Sequence, residues 1–233
     1  MREAVILVHG LWMGGWVMQG LRLQLALRGY AARTFGYPSR AQSLDEHAQR
    51  LAASIAALQE PVIHLVGHSL GGLVVLRCLR NHGEQRIGRV VLLGVPVRGC
   101  MSGRHLESLA GGKRLLGTSR DIWRSLPEVF RPRCEIGVIA GSRPMGLGRM
   151  LMRLPGTNDG VVRLEETEAR GMRDRVVLPL SHSGMLLSAH VARETAAFLK
   201  RGTFDHEERG ALEQPGREAN DRKSRGATAR RER

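Results

Sequence analysis

Six short apolar runs, spaced along the first 180 residues, constrain this chain more than any other feature. They are AVILV at 4–8, YAARTF at 30–35, VIHLV at 62–66, RVVLLGVP at 89–96, EIGVIAG at 135–141 and RVVLPL at 175–180. Each is rich in Val, Ile and Leu and reads as a strand. Between them lie stretches of helical period. Val17, Leu21 and Leu25 fall at helical spacing, as do Leu44, Ala48, Leu51, Ala52, Ile55 and Leu58 after a cap at Ser43 or Asp45. Residues 70–79 form an apolar helix, and 183–200 the last one. Strands alternating with helices mean βαβ units and a mostly parallel sheet. Continuous apolar strands mean that both faces of the sheet are covered. An α/β fold follows, with six strands, helices on both faces and ligands at the carboxyl ends of the strands. Residues 98–133 exceed one crossover and read as a short, lid-like insertion after the fourth strand.

Composition narrows the class. The chain has 233 residues, 42% apolar and 25% charged, which suits one soluble domain. No apolar run reaches eighteen residues, and MREAVILVHG lacks the core length and cleavage site of a signal peptide, so a cytoplasmic location is expected. Cys78, Cys100 and Cys134 have no C-x-x-C spacing and read as idle reduced thiols; no metal or other cofactor is expected. Net charge is +14, carried by 36 basic residues of which only Lys113, Lys200 and Lys223 are lysine. Residues 203–233 hold eight basic and seven acidic side chains and, as large apolar residues, only Phe204 and Leu212. They read as a disordered charged tail on a domain of residues 1–202. The body therefore carries +13 of the charge. That fits weak electrostatic association with an anionic membrane, with the protein peripheral to one, or fits arginine-rich composition alone. No nucleic-acid module is present and aromatics number nine, so no specific nucleic-acid binding is expected.

The chemistry lies in the loops after the strands. Gly67-His68-Ser69-Leu70-Gly71 matches G-x-S-x-G, with a strand before it, a helix after it and Gly72 extending it. A sharp strand-to-helix turn needs small residues beside its apex and exposes the apex side chain above the sheet. A serine nucleophile needs a base, and the base an orienting carboxylate, in the chain order Ser, Asp or Glu, His on such a fold. His182, in Leu180-Ser181-His182-Ser183-Gly184, is the candidate base. Asp159, in Gly156-Thr157-Asn158-Asp159-Gly160, is the candidate acid, although it also suits a turn; Glu165 and Glu166 compete with it. His64 falls inside a strand, His82 at a helix end, His190 in mid-helix, His206 in the tail and His47 on the polar side of a helix. Two N–H donors for an oxyanion are expected from Leu70, next after the serine, and from Leu11 in the loop after the first strand. Trp12, Trp16 and His68 are candidates for lining a substrate pocket; the tryptophans equally suit core or lid contacts.

VHGLW at 8–12, VGHSLGG at 66–72, GTNDGVV at 156–162 and LSHSGML at 180–186 together resemble the α/β-hydrolase superfamily, specifically bacterial lipases and esterases. The resemblance spans about residues 4–200. It implies a serine hydrolase acting on carboxylic esters, small-molecule or lipid, through an acyl-enzyme. Ser69 would be the nucleophile, Asp159 the acid, His182 the base, and Leu11 and Leu70 the oxyanion donors. Family sheets often begin with an antiparallel pair. Here the first strand starts at residue 4, so a minimal six-stranded α/β-hydrolase fold is expected. A thioesterase, amidase or acyltransferase would use the same triad. A non-catalytic membrane-binding scaffold is the reading from another class. A wall built from Leu106, Leu109, Leu115, Leu116, Ile122, Trp123, Leu126, Val129 and Phe130 of the insertion implies preference for medium acyl chains, unless these are helix-packing positions.

Overall fold

A computed structural model describes residues 3–83, 85–119, 133–146 and 153–206. Its strands are β1 (Ala4–Val8), β2 (Ala31–Phe35), β3 (Ile63–His68), β4 (Ile87–Leu93), β5 (Glu135–Gly141) and β6 (Asp174–Leu178). They form one sheet in the order β2-β1-β3-β4-β5-β6, and every neighbouring pair is parallel. The helices are α1 (Gln19–Ala26), α2 (Leu44–Ala56), α3 (Leu70–His82), α4 (Met101–Ser108), α5 (Gly112–Leu116) and α6 (Ala189–Arg201).

Alternate residues of each strand point to opposite faces, and the apolar runs supply both. Ala4, Ile6 and Val8 of β1 pack with Leu65 of β3 and with Leu51, Ile55, Leu73 and Val74 of α2 and α3. Val5 and Leu7 pack on the other side with Leu21 and Leu25 of α1 and Val191 and Phe198 of α6. The result is the three-layer α/β arrangement that the alternating pattern implies. β2, at the edge, is the half-exposed strand, in keeping with its weaker apolar run.

Several boundaries differ from expectation. Ser43, not Asp45, caps α2: its hydroxyl accepts from Glu46 N–H, and the Glu46 carboxylate accepts from Ser43 N–H at 2.7 Å. β4 stops at Leu93 because Gly94, at φ 55°, turns the chain away from the sheet. The last helix is broken. A 3-10 turn, Gly184–Leu187, precedes α6, and Ser188 caps α6 by accepting from Val191 N–H. His190 therefore sits in a first turn, paired with Glu194 at 3.3 Å, rather than in mid-helix.

Two expectations are corrected. His47 is buried, not on a polar face. Its ring lies edge-on to Tyr37, with centroids 4.5 Å apart, and neither ring nitrogen has a hydrogen-bond partner. It shares the inward stripe of Leu44, Ala48 and Leu51. The tail, moreover, does not begin at residue 203. Phe204 is 3% exposed and packs on Phe198 with ring centroids 4.9 Å apart. Its N–H donates to Asp174 at 2.8 Å, Asp205 N–H donates to buried Glu194 at 2.9 Å, and His206 pairs with Asp174. The packed body thus extends through residue 206; the remainder of that stretch lies outside the described residues.

Candidate active site

The turn from β3 into α3 is where the sequence forces the backbones together. A Cβ on Gly67 would stand 2.4 Å from Gly72 Cα, and one on Gly71 would stand 2.3 Å from the carbonyl oxygen of Val8. Only glycine permits that approach. The apex between them, Ser69, takes φ 53°, ψ −124°, a conformation rare for a residue with a side chain. Ser69 N–H donates to Leu93 O at 3.0 Å, and its side chain stays partly exposed. Leu70 is the first residue of α3, so its N–H has no intrahelical acceptor.

Asp159 and His182 come together from the loops after β5 and β6. His182 Nδ1–H donates to Asp159 Oδ2 at 2.7 Å, and His182 N–H donates to Asp159 O at 2.9 Å. The other carboxylate oxygen, Oδ1, accepts from Val161 N–H at 2.9 Å and Val162 N–H at 2.7 Å. Burial alone would push the Asp159 carboxyl up. The His182 imidazole and the bonds from His182, Val162 and Val161 outweigh it and leave the carboxyl below its ordinary value. The carboxylate is thus charged and held, with Nε2 of His182 left to take up a proton.

The competing carboxylates have other work. Glu166 accepts from Arg163 N–H at 2.8 Å and Met101 N–H at 2.7 Å, fastening α4 to the 3-10 turn Leu164–Thr167. Glu165 pairs with Arg163 at 2.5 Å. A cavity of about 410 Å³ beside them is lined by Arg98, Met101, Arg104, Arg163, Glu165 and Glu166. Neither Ser69 nor His182 borders it.

His68 binds the pieces together. Its ring lies 4.6 Å from that of His182, and its Nε2–H donates to His182 O at 3.1 Å. A Cβ on Gly10 would be 3.2 Å from both His68 Nδ1 and Ser69 Cβ, so the loop after β1 lies directly against the elbow. Burial, followed by the nearness of His182, pushes the His68 pKa down to about 3. With no exposed surface the ring forms no open pocket wall, which corrects that expectation. Trp12 and Trp16 are exposed at the carboxyl edge, and Leu11 is half-buried. No hydrogen bond joins Ser69 Oγ to His182 Nε2 among the described residues.

Two supports carried little sequence signal. Gly94 is one: a Cβ there would stand 3.0 Å from Asp159 Oδ2 and 3.1 Å from His182 Nδ1. His9 is the other. Its Nδ1–H donates to Gly10 O at 2.8 Å, its Nε2 accepts from Tyr37 N–H at 3.3 Å, and its ring stacks on Tyr37 at 4.4 Å. Tyr37 OH donates to His9 O at 2.8 Å, so the loop after β1 is braced from the loop after β2. The cysteines are remote in chemistry: burial pushes Cys78 up to about 12 and Cys100 and Cys134 up to about 11. Among the described residues no group of three His, Cys, Asp or Glu side chains could hold a metal ion, and no helix is long and apolar enough to cross a membrane.

In the insertion, Leu106 and Leu116 are buried packing positions, whereas Leu109 and Leu115 are exposed. Ile122, Trp123, Leu126, Val129 and Phe130 lie outside the described residues.

Known structures share this architecture. The mature form of Bacillus licheniformis lipase BlEst2 superposes with a TM-score of 0.68 at 18% identity, over 85% of this chain and 91% of that one. Esterase EaEST from Exiguobacterium antarcticum gives 0.58 at 15% identity, over 85% and 92%. The pyrethroid hydrolase PytH gives 0.54 at 15%, over 87% and 99%. At such identities the likeness is one of fold. Among curated proteins, none matches the sequence well enough to count as a relative. The model of the Alpha/beta hydrolase family matches residues 5–220, nearly the whole chain, and with the fold and elbow described above this chain belongs to that family.

Proposed function

We propose that the protein is a serine hydrolase that cleaves carboxylic esters through an acyl-enzyme. One observation carries the reading: Ser69 sits at a strained, glycine-flanked apex, and the ring of the buried, hydrogen-bonded His182–Asp159 pair packs on His68, the residue before it. Ser69 Oγ attacks the ester carbonyl as His182 Nε2 takes its proton. Asp159 holds Nδ1–H, fixing the tautomer and stabilising the imidazolium. The oxyanion is received by the N–H groups of Leu70 and Leu11. His182 then returns the proton to the departing alkoxide. A water, deprotonated by the same imidazole, attacks the acyl-enzyme, and the imidazolium returns that proton to Ser69 Oγ as the acid leaves.

Medium acyl chains are the proposed substrates. Exposed Leu109 and Leu115 can wall an acyl group, and each buried methylene adds about 0.8 kcal/mol until a short wall is filled. The basic body would draw such an enzyme weakly to anionic lipid, an attraction that salt weakens. Fluorophosphonate labelling with peptide mapping tests the nucleophile, and a p-nitrophenyl ester series from acetate to palmitate tests the substrate. An adduct on Ser69 and a kcat/KM maximum at medium length are expected. An adduct elsewhere, or none on folded protein, overturns the reading.

A further inference from the structure

Only two non-glycine residues among those described have a positive φ: Ser69, and Trp12 at 59°. The elbow glycines account for Ser69. Trp12 follows the proposed oxyanion donor, Leu11, and nothing in its own sequence calls for left-handed backbone. A bulky residue keeps such a conformation only where its surroundings over-determine it.

Two contacts do so. Trp12 N–H donates to Ser39 Oγ at 3.2 Å, and the indole Nε1–H donates to Leu115 O at 3.0 Å. Leu115 belongs to α5 of the insertion. Ser39 is buried, and its carbonyl accepts from the hydroxyl of Ser119, just beyond α5. Both tethers therefore lead to one stretch, residues 112–119. That stretch is itself fastened to the loop after β2. Thr118 N–H donates to Arg40 O at 3.1 Å, the Thr118 hydroxyl donates to Gln42 O at 2.6 Å with Arg40 O also 3.1 Å away, and the Arg40 guanidinium donates to Arg114 O at 2.9 Å.

We propose that Trp12 is a positioning residue, through which the insertion holds the oxyanion loop in its working shape. With the peptide after Leu11 pinned at Trp12 N–H and the side chain pinned at Nε1, Leu11 loses the freedom to swing its own N–H away from Ser69. The β1 loop is braced from below by His9 and Tyr37 and from above by α5. The inference rests on the reading of Ser69 as nucleophile and Leu11 as oxyanion donor.

The test separates positioning from a wall for substrate. Trp12→Phe keeps an aromatic ring and removes only the indole donor; Ser39→Ala removes the other tether and touches no aromatic surface. On a p-nitrophenyl ester, each variant is expected to lose about 10- to 100-fold in kcat with KM within about twofold. Affinity for a trifluoromethyl ketone, whose serine adduct carries the oxyanion, should fall by a similar factor. Should Trp12→Phe fail to fold, Ser39→Ala carries the same comparison. Unchanged kcat and ketone affinity in the folded variants, or a loss confined to KM, overturns the proposal and leaves the hydrolase reading standing. A wild-type protein that neither hydrolyses the ester nor takes fluorophosphonate overturns both.

Discussion

His68 and His182 are joined by a single hydrogen bond, from the ring of the first to the backbone carbonyl of the second. The bond crosses from the turn of the proposed nucleophile to the loop of the proposed base, 114 residues away. Because burial keeps the His68 ring neutral, one nitrogen is a fixed donor at working pH and the other, Nδ1, is unpartnered. His68→Gln places an amide donor near the position of Nε2 and should retain kcat within about tenfold, whereas His68→Leu leaves the carbonyl without its donor and should lose on the order of 10²-fold. Steady-state kinetics on one ester check this. Equal kcat in both variants would remove the coupling.

Asp159→Asn should leave the melting temperature close to that of the wild type and lower kcat by about 10²- to 10⁴-fold, since an amide no longer favours the Nδ1–H tautomer. Glu166→Gln should do the reverse. It weakens the bonds to Arg163 and Met101 N–H and so lowers the melting temperature, with kcat nearly unchanged. Thermal melts paired with kcat on both variants decide whether the acid has been placed correctly.

Acid should destabilise the fold in a defined window. Burial lowers His47 to about 4 and His68 to about 3, from 6.5. Their contribution to stability is complete above pH 6.5. As pH falls below that, the unfolded chain gains protons that the folded sites refuse. Stability then drops by up to about 1.4 kcal/mol per pH unit for each ring, until pH reaches their folded values. Asp159, held below its ordinary value, contributes stability above that value and loses it only at still lower pH. Urea midpoints from pH 7.5 to 4.5 measure the slope, and His47→Leu should remove its share. A midpoint that is flat over this range contradicts the burial argument.

Ending the chain after Gly202 should lower the melting temperature by several degrees, because it removes Phe204 and the bonds that the Phe204 and Asp205 N–H groups give to Asp174 and buried Glu194. Ending it after His206 should not. Melting curves of the two truncations locate the boundary of the packed body.

The six strands and the elbow are readable from the sequence because each is local. A strand buried on both faces must be continuously apolar, and a turn as tight as 67–72 must be glycine-rich. His182 and Asp159 are readable for a related reason, since each follows a strand on the same edge of the sheet. Phe204 is not, because its slot exists only where Gly137 has no side chain, and a single phenylalanine in a polar stretch carries no pattern. The backbone of Trp12 is not either: its conformation is imposed by Ser39 and Leu115, 27 and 103 residues away. His47 lies between these cases. Its spacing from Leu44 and Leu51 places it on the inward stripe, but its polarity argues the other way.

Phe204 and His206 dock against Gly137 and Asp174, at the start of β5 and β6, whereas Ser69 follows the far end of β3. In register, Gly137 and Asp174 lie level with Val66, so Ser69 stands three residues further along the strands, about 10 Å at roughly 3.3 Å per residue. A resin, a reporter or a partner enzyme coupled through residue 206 would therefore stand behind the sheet and leave the mouth of the site facing the medium. Attachment through Trp12 or Leu115 would cover it.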